Sequence, residues 1–157
     1  MTVDALFDAW ERAWSGRDPS AFADVCTADV HYEDPLTLRP LSGAPAVAAH
    51  AERLWGAFPD ARVNSAGERL ARGEFAAAPF VVLGTHRHAL DGLPATGRPL
   101  RVHAVAYAQV ADARLARVRV FFDLYAVAVQ LGVLPPSGSL GERAMMLLRG
   151  FGLRRRG

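Results

Sequence analysis

The sequence contains no lysine, a single cysteine and no run of 18 apolar residues. One cysteine excludes an intrachain disulfide and any zinc site of several thiolates. Cys26, in a stretch read as helical, is expected to be a small buried apolar residue rather than a nucleophile. Without a long apolar run there is no spanning helix. Asp4, Asp8 and Glu11 interrupt the first turns from Met1 to Trp14, where a secretory signal would need a basic start and unbroken apolar residues, so a cytoplasmic location is expected. A glycine loop able to cradle phosphate is also missing. With no lysine, every positive charge is an arginine, and the pI of about 9.2 suggests nucleic acid at first sight. The distribution argues against it. Residues 1–141 hold 13 Arg against 15 acids, and residues 142–157 hold five Arg against Glu142, so the basic character belongs to the tail and no nucleic-acid partner is expected.

What is present is ordinary globular composition, with 51% hydrophobic and 22% charged residues over 157 positions. That length suits one domain with one core and one pocket. Val3, Leu6, Phe7, Trp10 and Trp14 share a helical face behind a Thr2 N-cap. Asp18-Pro19 then opens a shorter helix through Phe22, Val25 and Cys26. Proline forces Asp34 of His31-Tyr32-Glu33-Asp34-Pro35 into an extended conformation. A third helix, from near Ser42-Gly43-Ala44-Pro45 to Phe58, aligns Val47, Ala51, Leu54, Trp55 and Phe58 until Pro59 stops it. From Ala61 the period becomes two, predicting strands near 61–71, 74–88, 99–110 and 114–123. Three helices followed by an antiparallel meander is an α+β order, with helices gathered on one face of a curved sheet. Pro135-Pro136-Ser137-Gly138 reads as a linker, dividing a domain at 1–134 from a basic amphipathic helix within 135–157.

Gly84-Thr85-His86, then Gly92-Leu93-Pro94-Ala95-Thr96-Gly97-Arg98, then Phe121-Phe122-Asp123 and Gln130-Leu131-Gly132, resemble the SnoaL-like polyketide cyclases in order and spacing over about residues 5–134. Ala57-Phe58-Pro59-Asp60 is similar to the same pattern. Trp10 to Asp34, ending in Glu33-Asp34-Pro35, resembles the start of ketosteroid isomerases. Limonene epoxide hydrolases share the fold and a similar final strand. These resemblances imply an NTF2-like cone of helices on a curved antiparallel sheet around one pocket, usually in a homodimer. They also imply that Asp34 is the base that moves a proton beside a carbonyl. The isomerases' oxyanion donors, a tyrosine and a protonated aspartic acid, fall here at Trp10 and about Ala106. The cyclases' histidine and aspartate fall near Ala106 and Val120, and the hydrolases also need a carboxylate near Val120. By this register all three mechanisms lack a member.

The residues themselves leave Asp34 two readings: a pocket base whose pKa burial raises toward neutrality, or a turn aspartate capping amides before Pro35. Asp123, directly after the final strand, reads as a second acid or base if a bend turns it inward, or else as a helix cap. Even positions of the last two strands (Val102, Ala104, Ala106, Ala108, Val110; Ala116, Val118, Val120, Phe122) lack polar side chains and suit the inner wall. Their alanines leave room for either a ligand or a closely packed helix. His86 and His88, two apart on one predicted strand, read as rim donors or surface histidines, and with no third ligand no metal is assigned. His50 and His103 read as packing residues. Trp10, Trp14, Tyr32, Trp55 and Phe58 are core by spacing and, in a cone, partly pocket wall facing a flat hydrophobic ligand.

The expected function is a cofactor-free enzyme on a hydrophobic polyketide, steroid or terpenoid-like small molecule, abstracting a proton and closing a ring or shifting a double bond. Alternatives are epoxide opening by Asp34 with Asp60, and a non-catalytic carrier. The tail stripe of Leu140, Ala144, Met145, Leu147, Leu148 and Phe151, with arginines at 154–156, is expected to dock over the pocket mouth or on a dimer partner rather than on a membrane.

Overall fold

The computed structural model describes residues 2–149. Helix α1 (Val3–Gly16) begins where the Thr2 hydroxyl accepts from the Ala5 N–H at 3.2 Å and ends at Arg17 in the left-handed region. Its inner face is Leu6, Phe7, Trp10 and Ala13, all buried. Asp18 does not cap the next helix directly. Its carboxylate accepts from the Ser20 N–H and hydroxyl at 2.9 and 2.6 Å, which delays α2 to Ala21–Val25. Cys26 opens β1 (Cys26–Glu33), a strand the sequence pattern did not signal, and short β2 (Leu41–Ser42) pairs with it antiparallel. Helix α3 (Ala44–Ala57) starts behind Gly43 at φ 87°, with Pro45 in its first turn.

The predicted strand at 61–71 is two pieces, β3 (Arg62–Ser65) and β4 (Leu70–Arg72), both antiparallel to β5 (Phe75–Thr85). Then come β6 (Pro99–Ala111) and β7 (Arg114–Phe122), α4 (Leu124–Gln130) and α5 (Leu140–Leu148). The sheet is curved and open, ordered β2-β1-β7-β6-β5-β3, with β1 parallel to β7 and the long strands antiparallel. This is the expected α+β architecture.

Strand parity divides the last two long strands. Val102, Ala104, Ala106 and Ala108 of β6, with Val118 and Val120 of β7, are buried, while Arg101, His103, Tyr107, Arg117 and Arg119 are exposed. The inner face is therefore the even one, with one exception. A bulge between Gln109 and Val110 shifts the register so that Leu115, not Ala116, points into the core. The two readings of the alanine wall each hold for part of it. Ala106 and Ala108 are fully buried in one cluster with Leu6, Phe7, Trp10 and Phe22, whereas Ala104 faces open space.

No residue of α5 is buried, and Leu140 and Leu148 are 81% and 88% exposed. The helix stands on its own cap: Ser139 Oγ accepts from the Glu142 N–H at 3.2 Å and the Glu142 carboxylate from the Gly138 N–H at 2.6 Å. Of the two expected docking places, the pocket mouth is not covered by the described residues of this helix, and a dimer partner stays an expectation; Phe151 and Arg154 to Arg156 lie outside the described residues.

Candidate active site

Between α1, α3, α4 and the inner sheet face lies a cavity of about 270 Å³. Trp10 and Trp14 come from α1, Leu54 and Trp55 from α3, Phe80 and Val82 from β5, Val102 and Ala104 from β6, Val120 and Phe122 from β7. Helix α4 and the chain after it add Leu124, Val127, Ala128, Leu131 and Val133. Phe58 and the loop leucines Leu90 and Leu93 also belong to the wall. The spacing of α1 put its tryptophans here because two residues one turn apart share a face. Trp14 and Trp55 are locked further by the Trp55 indole N–H, which donates to the Trp14 carbonyl at 2.8 Å.

Among the described lining residues, the only side-chain oxygens are those of Tyr32 and Asp34. Asp34 follows β1, and its side chain is 4% exposed. Its two oxygens do different things. Oδ1 accepts from the Leu36 N–H at 2.7 Å, the turn role that Pro35 suggested. Oδ2 accepts from the Tyr32 hydroxyl at 2.7 Å and lies 2.8 Å from His50 Nε2. His50 Nδ1 lies 3.1 Å from an Arg53 guanidinium nitrogen, and a guanidinium can only donate. An accepting Nδ1 would leave Nε2 to donate to Asp34.

These contacts set the charge state. Burial works against an ionised Asp34, but the hydrogen bond from His50 and its electrostatic attraction, with the Tyr32 hydroxyl and Leu36 N–H, outweigh it. The carboxyl consequently lies below its ordinary value, not raised toward neutrality as burial alone would predict. The Tyr32 phenol is pushed well above its ordinary value, first by burial, then by the charge of Asp34 and the bond it donates there. At neutral pH the pair is carboxylate and phenol. An ionised carboxylate next to an apolar void can accept a proton; it is poorly suited to give one first.

Other candidates fall elsewhere. Asp123 is exposed and caps α4, its Oδ1 accepting from the Ala126 N–H at 3.0 Å, so it is not turned into the cavity. Asp60 accepts from the Thr85 N–H and hydroxyl at 2.7 and 2.8 Å on the outside, and does not assemble with Asp34. Strand β5 ends at Thr85, so His86 and His88 share no strand face. His86 is fully buried against Phe58, with Nδ1 accepting from the Thr96 N–H at 3.3 Å; His88 is exposed. Neither lines the cavity, and neither does Ala106, which packs in the core. Burial pushes the Cys26 thiol up to about 12, which leaves it unreactive.

His50, read from the sequence as a packing residue, is instead the buried partner of Asp34. A signal existed: it sits three residues after Val47 on the buried face of α3, where a histidine needs a partner. The family motif also has a structural basis at its end. Gly132 has φ 75°, and a Cβ there would meet the Arg98 guanidinium at 2.8 Å.

None of the curated proteins matches the chain. Several solved structures do. TsrD from Streptomyces laurentii is 21% identical, with TM-score 0.75 over 84% of this chain and 96% of that one. AclR from Streptomyces galilaeus, a candidate hydroxylase, is 22% identical, with TM-score 0.73 over 94% and 91%. A candidate polyketide cyclase from Pseudomonas putida KT2440 is 27% identical, with TM-score 0.70 over 83% and 98%. The family model for SnoaL-like polyketide cyclases matches residues 4–131, the span that builds the sheet and nearly all of the cavity wall, and the chain belongs to that family.

Proposed function

We propose that the protein is a proton-transfer enzyme in which the Asp34 carboxylate removes a proton from carbon beside a carbonyl of a compact, hydrocarbon-rich substrate. The observation that carries this reading is one ionised carboxylate, held by three donors, in the wall of an otherwise apolar cavity. The C–H electron pair becomes an enolate and Asp34 becomes a neutral acid. The proton then returns either to a different carbon, which moves a double bond, or to the alkoxide formed when the enolate carbon attacks a second carbonyl and closes a ring. Either sequence is redox-neutral and regenerates the carboxylate, so it needs no cofactor. The walls contribute placement and exclusion of water.

Cavity polarity narrows the substrate. A chain with a carbonyl at every second carbon would bury acceptors without donors, at about 1–3 kcal/mol each. A steroid, terpenoid or largely reduced polyketide skeleton with its polar function at the Tyr32–Asp34 end fits better. The carrier alternative accounts for the Asp34 oxygen that closes the turn at Leu36, but gives no role to the one that receives Tyr32 and His50 beside an apolar cavity. The test is native mass spectrometry of the purified protein to identify a retained small molecule, then turnover of that compound. Asp34→Asn is expected to lose turnover by about 10²-fold or more. Activity within a few fold of wild type would make Asp34 structural.

A further inference from the structure

Arg53 and Asp91 stand outside the cavity wall, yet they join two of its parts: the pair of Asp34 and His50, and the turn that supplies Leu90 and Leu93. Asp91 and Gly92, at φ 48° and 86°, form a two-residue turn closed by reciprocal hydrogen bonds of 2.9 and 2.8 Å between Leu90 and Leu93. Both leucines line the cavity, and the Asp91 carboxylate pairs with the Arg53 guanidinium. Arg53 in turn donates to His50 Nδ1 at 3.1 Å.

A neutral imidazole has one proton to place. On Nδ1 it would oppose a guanidinium donor and leave the Nε2 lone pair against the Asp34 Oδ2 lone pairs at 2.8 Å. We propose that Arg53, anchored by Asp91, is a positioning residue that fixes His50 as the Nε2–H tautomer and so keeps a donor on Asp34. The inference rests on the reading of Asp34 as the base. Leu90 and Leu93 flank Asp91, so the turn that lines the cavity also carries the carboxylate that anchors Arg53. Trp14 and Tyr32, with ring centroids 6.2 and 5.8 Å from the His50 ring, hold its plane but offer no other partner for Nδ1.

The test is long-range ¹H–¹⁵N NMR of the histidine side chains in the full chain, with His50 assigned by the signals lost in His50→Gln. Wild type is expected to show Nε2 protonated and Nδ1 not. Arg53→Met is expected to gain a proton on Nδ1 while Nε2 stays protonated against Asp34, giving a doubly protonated ring, and Asp91→Asn a smaller change in the same direction, in folded protein as judged by thermal melting. A wild-type ring protonated on Nδ1, or an Nδ1 still unprotonated in Arg53→Met, overturns the proposal; the wild-type spectrum decides even if a variant fails to fold. With the retained ligand as substrate, Arg53→Met should lower kcat about tenfold at unchanged ligand affinity. A loss confined to affinity would contradict a positioning role. If the tautomer result holds while Asp34→Asn stays active, it is the assignment of Asp34 as base that fails.

Discussion

A carboxylate has two oxygens, and at Asp34 they face different structures: Oδ1 closes the turn at Leu36, and Oδ2 receives Tyr32 and His50. On the proposed reading this makes Asp34 a stability element as well as the base. Its native carboxyl lies below the unfolded value of about 3.9, so ionised Asp34 contributes stability above that pH and loses it as pH falls through the lower native value. Urea midpoints of Asp34→Asn measured from pH 7 downward should therefore lack this part of the wild type's acid-limb decline. At pH 7 the variant should be less stable by about 1–3 kcal/mol, because an amide nitrogen would face a donor. Asp123→Ala provides the contrast at the other candidate carboxylate. It removes the α4 cap, costs about 1 kcal/mol in denaturant unfolding, and should leave turnover unchanged. Loss of turnover there would require Asp123 to reach the substrate, against its exposed position.

At the scale of elements, helices α1 and α3 and the even-faced strands were legible because their periodicity is local. Strand β1 was not, since only Val30 and Tyr32 mark its buried face near the centre, and its long neighbour β7 lies some ninety positions away in the chain. The bulge that swaps Ala116 for Leu115 was equally hidden, because an inserted residue leaves both parities apolar. Candidate site residues on regular elements could be placed; Asp123, His86 and His88, at element ends, could not, because a strand's last residue decides whether a side chain turns in or out. His50 needed a partner sixteen residues away that only the turn at Pro35 brings near. The cavity half of β6 can be tested directly. Ala104→Phe should fill the void, abolish ligand retention in native mass spectrometry and leave the fold intact, whereas an equal insertion at Ala106 should destabilise by about 1–3 kcal/mol because no space exists there.

For the whole molecule, the outer sheet face shows Val105, Tyr107 and Phe121 at 40–52% exposure, with Phe75 stacked on Tyr107. We propose that this face joins two copies in a homodimer. Sedimentation should give a dimer for wild type and a monomer for Phe121→Asp, and a monomeric wild type would remove the proposal. Wild-type protein with its retained ligand in deuterium oxide should exchange a carbon-bound hydrogen beside the ligand's carbonyl, followed by the ligand's mass. Asp34→Asn, binding the same ligand, should slow that exchange by about 10²-fold or more. Equal exchange in the variant, or none in wild type with the ligand seated in the cavity, would contradict Asp34 as the base.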